Sequence, residues 1–268
     1  MSIWQTYIFG LFPITAIACS TWLLSLRKRD VSIVDGVWSL LLWSAGVTYV
    51  VAGPPLRSRA LLILTLLTVW AVRLAVYITA RNWGEPEDRR YQQIRARNQP
   101  NFDIKSLYLV FLLQALLAWI ISLPLLCAAS ADARLIWPDY LGGAIVVFGI
   151  LFESIGDRQM ARFKSDPANR GQVMDRGLWR YTRHPNYFGE CCVWWGFYVI
   201  ALAANGWWSL PGPLLITILL LRVSGVALLE KDIADRRPAY RLYMQRTNSF
   251  IPGRPRQMMK SAADSTSD

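Results

Sequence analysis

The stretch RHPNYFGE, residues 183 to 190, carries the only histidine of the chain together with Arg183, Asn186, Tyr187 and Glu190. Pro185 suits the first turn of a helix, where a missing N–H costs nothing. Arg183 and His184 then precede the helix, and Asn186 and Glu190 lie one turn apart on one of its faces. Free N–H groups and the positive end of the helix dipole favour an anion at such a start. Arg180, Arg183 and His184 strengthen that preference, so the chemistry is phosphate recognition. An amide and a carboxylate one turn deeper suit a ligand that is phosphorylated at one end and amide-bearing at the other. A dinucleotide cofactor laid end-on into a helical bundle has that form. No GxGxxG or Walker A pattern is present, which excludes a Rossmann domain or a P-loop as the carrier. The four cysteines, Cys19, Cys127, Cys191 and Cys192, show no CxxC spacing, and no histidine cluster accompanies them, so neither a metal site nor a disulfide framework is expected.

Other ionisable residues stand inside apolar stretches, where charge is expensive and usually faces a bundle interior or a wet cavity. Asp35 and Trp38 lie one turn apart. Arg73, Tyr77 and Arg81 form an i, i+4, i+8 stripe, and Glu153 and Asp157 repeat the spacing, as do Asn186 and Glu190. Arg222 and Glu230 sit two turns apart in the last apolar stretch.

The elements that position these groups follow from composition. With 54% hydrophobic residues, 13 tryptophans and 18% charged residues in 268, the chain reads as an all-α integral membrane protein. Seven stretches approach the roughly 20 residues that cross a bilayer, at about 5 to 26, 32 to 52, 60 to 80, 106 to 129, 136 to 160, 186 to 206 and 211 to 231. The net charge of +11 gathers in the connections after the first, third and fifth stretches and after the seventh, while the other side has only Arg57, Arg59 and Arg134. The positive-inside rule therefore predicts seven transmembrane helices with the N-terminus outside and the C-terminus cytoplasmic. Basic residues placed beside apolar runs serve that orientation, and no nucleic-acid partner is expected. The N-terminal apolar run lacks the basic region and cleavage site of a secretory signal and is expected to stay as a spanning helix. Residues 1–255 form one expected membrane domain and residues 256–268 a disordered cytoplasmic tail. Membrane lipids are the expected surroundings, with no obligate protein partner. A transporter or receptor would share the seven spans, but no inverted repeat or paired broken helices support one.

RGLWRYTRHPNYFGE resembles the signature of membrane reductases of the steroid 5α-reductase family and their bacterial relatives. More distantly it resembles that of sterol reductases and of isoprenylcysteine or phospholipid methyltransferases. The likeness extends through RNWGEPEDRRYQ, ESIGDRQMARFKSDPANRG and LLEKDIADRRPAYRLYMQRTNSFIP and covers most of residues 70 to 252. Before it, only SIVDGVW matches. The resemblance implies a seven-helix bundle, here in a bacterial inner membrane, that takes NADPH from the cytoplasmic side. Such a bundle reduces the Δ4 double bond of a 3-oxosteroid or a similar lipid-like enone. It further implies that Asn186 and Glu190 hold the cofactor, with Tyr187 beside them and Asn82, Asp157 and Lys164 nearby. Arg73, Arg81, Arg170, Arg180, Arg183 and His184 would meet the phosphates, and Arg236, Arg237 and Tyr240 would close the pocket. The family pairs a glutamate on helix two with a tyrosine on helix three at the substrate ketone. This chain departs from both: Asp35 is the only helix-two carboxylate, and the tyrosine position aligns nearer Trp70 than Tyr77. Asp35, with Tyr77, is the expected donor to the ketone, and Trp38 and Trp70 are expected to touch the substrate. The alternative is an S-adenosylmethionine-dependent methyltransferase. Against it, those relatives use paired acidic residues near the end, where this chain has Glu230 followed by Lys231.

Overall fold

A computed structural model describes residues 1–53, 58–131, 134–223, 225–226, 230, 233 and 238–256. Arg57, Arg236 and Arg237 lie outside the described residues. Every regular element among the described residues is helical. Five helices are long and apolar enough to cross a membrane: α1 (Ile3–Lys28), α2 (Ile33–Ala52), α3 (Ser58–Asn82), α5 (Phe102–Ile121) and α7 (Trp137–Ser165). A short polar helix, α4 (Arg89–Arg97), precedes α5, and α6 (Leu123–Ser130) follows it. The sequence suggests one span over 106 to 129, but Ser122 ends α5 and Pro124 starts a new helix immediately after it.

The two remaining expected spans are shorter. α8 (Pro185–Leu202) has 18 residues, and its opening turns carry Asn186 and Glu190 in place of apolar side chains. The apolar stretch Trp207–Val223 contains α9 (Pro211–Ile218) and ends in a π turn, Leu219–Val223. α10 (Ala239–Arg246) is the last helix.

Packing divides the chain into two compact units, Met1–Val147 with Trp194–Leu215 and Phe148–Val193 with Ile216–Asp268. In the first unit α1 starts on a capping box. Ser2 Oγ accepts from the Gln5 N–H at 3.2 Å, and Gln5 Oε1 accepts from the Ser2 N–H at 2.8 Å. α2 packs against both α1 and α3. Polar groups that the apolar setting would penalise are satisfied between helices. Ser39 Oγ donates to the Ala71 carbonyl at 2.8 Å, Trp43 Nε1 donates to Thr68 Oγ1 at 3.0 Å, and the Tyr49 and Ser122 hydroxyls share a bond of 2.8 Å. Tyr7 stacks on Trp119 with ring centroids 4.2 Å apart.

The first unit also holds a fully enclosed ion pair. Arg59 Nε and Nη2 reach the Asp139 oxygens at 2.6 and 2.8 Å, with both side chains at 0% exposure. Asp139 Oδ2 also accepts the Ile136 N–H at 2.8 Å, so the carboxylate binds the start of α7 while it neutralises α3.

In the second unit α7 and α8 approach at glycine. A Cβ at Gly149 would stand 2.6 Å from the Gly189 carbonyl oxygen, and one at Gly189 would stand 2.7 Å from the Glu153 nitrogen. Small residues at such a crossing bring two backbones together where lipid offers no hydrophobic drive. The contact sets Glu153 on α7 beside the turn of α8 that carries Glu190.

Candidate functional site

The segment leading into α8 is held from two sides within the second unit. Gly177 adopts φ +58°, and a Cβ there would run into the Gln159 side chain. The chain so turned lets the Leu178 N–H donate to Gln159 Oε1 at 2.9 Å and Trp179 Nε1 donate to the Gly156 carbonyl at 2.9 Å, which ties the segment to α7. On its other side the C-terminal segment runs alongside. The Arg183 N–H donates to the Asn248 carbonyl at 2.9 Å, Thr182 Oγ1 to the Phe250 carbonyl at 2.7 Å, and the Gly253 N–H to the Tyr181 carbonyl at 3.0 Å. Tyr243 of α10 donates to the Trp179 carbonyl.

Arg183 is 7% exposed and its guanidinium is heavily engaged. Nε and Nη2 make a fork to Glu230 Oε1 and Oε2 at 2.6 and 2.8 Å, and Nη1 donates to the Met244 carbonyl at 3.0 Å and to that of Thr247. His184 Nε2 lies 3.0 Å from the same Glu230 Oε1, and its ring stacks on Tyr187 at 5.4 Å. Glu230 lies past the apolar Trp207–Val223 stretch. Burial alone would raise its pKa, but the hydrogen bonds from Arg183 and His184 outweigh burial and hold it at about 2. Arg183 and His184, expected at a phosphate, are thus joined to a carboxylate and to the C-terminal backbone. Lys164, Arg170 and Arg180 are among the exposed cations of the unit.

Deeper along α8, Asn186 and Glu190 take the one-turn spacing the sequence predicts. The Oδ1 atom of Asn186 is buried with no hydrogen-bond partner among the described residues. Glu190 is 8% exposed, and Glu153 and Asp157 on α7 are buried in the same unit. Tyr240 sits on α10 with its ring 5.2 Å from Tyr243.

The first unit holds a second polar cluster. Asp88 caps α4, accepting from the Arg90 N–H at 2.9 Å. The cap presents Arg90 and Tyr91 to Asp35 in the first turn of α2, with Arg90 Nη2 at 2.7 Å from Oδ2 and the Tyr91 hydroxyl at 2.6 Å from Oδ1. Gln114 Nε2 donates to the Tyr91 oxygen at 3.3 Å. Both Asp35 oxygens therefore accept, one of them from a guanidinium, whereas the sequence assigns Asp35 the donor role. Tyr91, which is 7% exposed, donates its one hydroxyl hydrogen bond to Asp35. Burial and then the Asp35 charge push its pKa well above the usual tyrosine range, so it keeps its proton.

Arg73, Tyr77 and Arg81 form the expected stripe, the two guanidinium carbons lying 5.6 and 5.8 Å from the Tyr77 ring centroid. Arg81 Nε also donates to Asn82 Oδ1 at 3.0 Å. Trp38 is partly buried. Trp70 is fully enclosed and meets Trp194 edge to face at 5.4 Å, and neither indole N–H has a hydrogen-bond partner among the described residues.

Sequence reasoning missed Arg90, Tyr91 and Gln114 as members of a site. Asp88 followed by a basic amphipathic turn was a readable helix start, but the partner it faces is 55 residues away in sequence. No group of metal-ligating side chains is found among the described residues.

No solved structure matches the chain. An uncharacterized protein of Schizosaccharomyces pombe is 23% identical over 282 residues, covering 92% of this chain and 79% of the yeast protein. A family model described as "Protein of unknown function (DUF1295)" matches residues 21–247. With most of its length inside that match, the chain belongs to the DUF1295 family.

Proposed function

We propose that the protein is an NADPH-dependent reductase of a bacterial inner membrane. It transfers a hydride to the C=C bond of an apolar enone such as a Δ4-3-oxosteroid, and its cofactor side faces the cytoplasm. The carrying observation is Asn186. Its buried Oδ1 lacks a donor, an arrangement that costs about 1–3 kcal/mol unless a ligand supplies one. A carboxamide N–H is such a donor, and Glu190, buried one turn further along, is a second acceptor on the same face. The residues present therefore fit a nicotinamide carboxamide. NADPH supplies the hydride. Asn186 and Glu190 orient the ring that carries it, and Lys164, Arg170 and Arg180 meet the phosphates. Arg183 and His184 act through Glu230, fixing the start of α8 and the C-terminal segment. The DUF1295 family is related to steroid 5α-reductase-like proteins, which supports the same reading.

Equilibrium binding of NADPH and of S-adenosylmethionine to detergent-purified protein tests it, together with NADPH-dependent loss of enone absorbance. Tight NADPH binding that drops at least tenfold in Asn186→Ala and Glu190→Ala is expected. Adenosylmethionine binding without NADPH binding, or wild-type affinity in both variants, overturns the assignment.

A further inference from the structure

A groove of about 650 Å³ runs between α2 and α3 in the first unit, lined chiefly by Gly36, Leu40, Val76, Thr79 and Trp83. Its floor is low because Gly36 has no side chain, and a Cβ there would stand 2.8 Å from Thr79 Oγ1. Its wall is open: Val76 is 62% and Trp83 79% exposed. Both helices are of spanning length and composition, so this open side meets hydrocarbon. Val69 and Val72 continue the exposed apolar ridge along α3.

One end of the groove is marked by charge. Trp83 stands just past the end of α3, and the Lys28 ammonium lies 6.0 Å from the centre of its ring. Lys28 closes α1 between Arg27 and Arg29. Among the described residues no carboxylate neutralises Lys28. Tryptophan and lysine at the end of a spanning helix mark the headgroup level. A cation there, above an apolar trough about 12 Å long from Ala75 to Trp83 at 1.5 Å per residue, is complementary to a molecule with a negative head and a hydrocarbon tail.

We propose that this groove holds one acyl chain of an anionic phospholipid of the surrounding membrane, with the lipid phosphate at Lys28. The site is separate from the reductase reading and does not depend on it. A zwitterionic lipid fills the groove equally well but presents no net negative charge to Lys28, so headgroup charge sets the preference.

The test uses delipidated full-length protein in mixed micelles containing either phosphatidylglycerol or phosphatidylcholine with matched acyl chains, and native mass spectrometry counts the lipids retained. One basic residue near an anionic headgroup corresponds to about a fivefold preference, so wild type retains phosphatidylglycerol about fivefold over phosphatidylcholine. Lys28→Glu abolishes that preference while leaving phosphatidylcholine retention unchanged. Val76→Trp, which fills the groove from an exposed position, lowers retention of both lipids, and Ala80→Leu does the same if Val76→Trp disturbs the helix pair. Equal retention of the two lipids by wild type overturns the proposal. So does a preference that survives Lys28→Glu, or wild-type retention in both groove-filling variants.

Discussion

Replacing Glu230 with glutamine removes the charge that Arg183 and His184 share and leaves the shape nearly unchanged. Two routes give the magnitude. Glu230 is held at about 2 against a usual carboxylate value near 4.5. At about 1.4 kcal/mol for each tenfold change in proton affinity, that drop corresponds to roughly 3 kcal/mol. Removing one partner from a buried pair independently costs about 3–5 kcal/mol, because the other charge stays behind without compensation. Arg183 at 8% and Glu230 at 12% side-chain exposure meet that condition. The expected loss at pH 7 is therefore roughly 3 kcal/mol, or about 6–12 °C in melting temperature for a chain of this size.

The pH dependence has a definite sign. A carboxylate whose pKa is depressed by folding stabilises the folded state above its unfolded value and loses that contribution as pH falls toward the folded value. Wild type should thus lose this share of its stability between about pH 4.5 and about pH 2, and Glu230→Gln should lack the same fall. Thermal denaturation of both proteins in one detergent, at steps from pH 7 to pH 2.5, measures the difference. A gap that is large at pH 7 and shrinks to about a quarter of that size at pH 2.5 is expected. Equal melting at pH 7, or a gap of constant size across the series, refutes the clamp assigned to Glu230.

Two further outcomes follow from the first unit. Asp139→Asn leaves Arg59 charged at 0% exposure and should destabilise by about 3–5 kcal/mol in thermal denaturation. The double variant Arg59→Leu with Asp139→Leu should recover much of that loss, and failure of the double variant to recover any would show that the pair is not acting as a pair. Tyr91→Phe removes the hydroxyl that donates to Asp35 Oδ1 while leaving Arg90 on Oδ2, and should destabilise by about 1–3 kcal/mol in thermal denaturation; unchanged melting would show that this buried hydrogen bond contributes nothing.

What was legible in the sequence was whatever a local pattern encodes. The apolar runs give α1, α2, α3 and α7 to within a few residues, and Pro185 marks the start of α8. The Arg73, Tyr77 and Arg81 stripe appears as the helical period requires. Counting apolar residues did not separate α5 from α6, because the break at Ser122 and Pro124 leaves hydropathy untouched and acts on the backbone. It also counted residues 186 to 206 as a span, although the turns with Asn186 and Glu190 make α8 less apolar than α1, α2, α3, α5 and α7. Partners could not be read at all. Arg183 meets Glu230 across 47 residues, and Asp35 meets Arg90 across 55, distances over which periodicity carries no information.

The partners also change how the signature at α8 divides its work. Arg183, His184, Asn186 and Glu190 within eight positions suggest a single ligand site, but a guanidinium with a carboxylate fork and two backbone carbonyls has little capacity left for phosphate. An Arg-carboxylate fork is directional and rigid, which suits it to fixing one segment against another. Arg183 and His184 are therefore best understood as the fastening of the C-terminal segment to the start of α8. Asn186, with its partnerless buried oxygen, and Glu190 are the residues that this fastening holds in place for a ligand. The distinction is physical: a polar group already satisfied by the protein builds the site, and one left unsatisfied at a buried position is available to read what enters it.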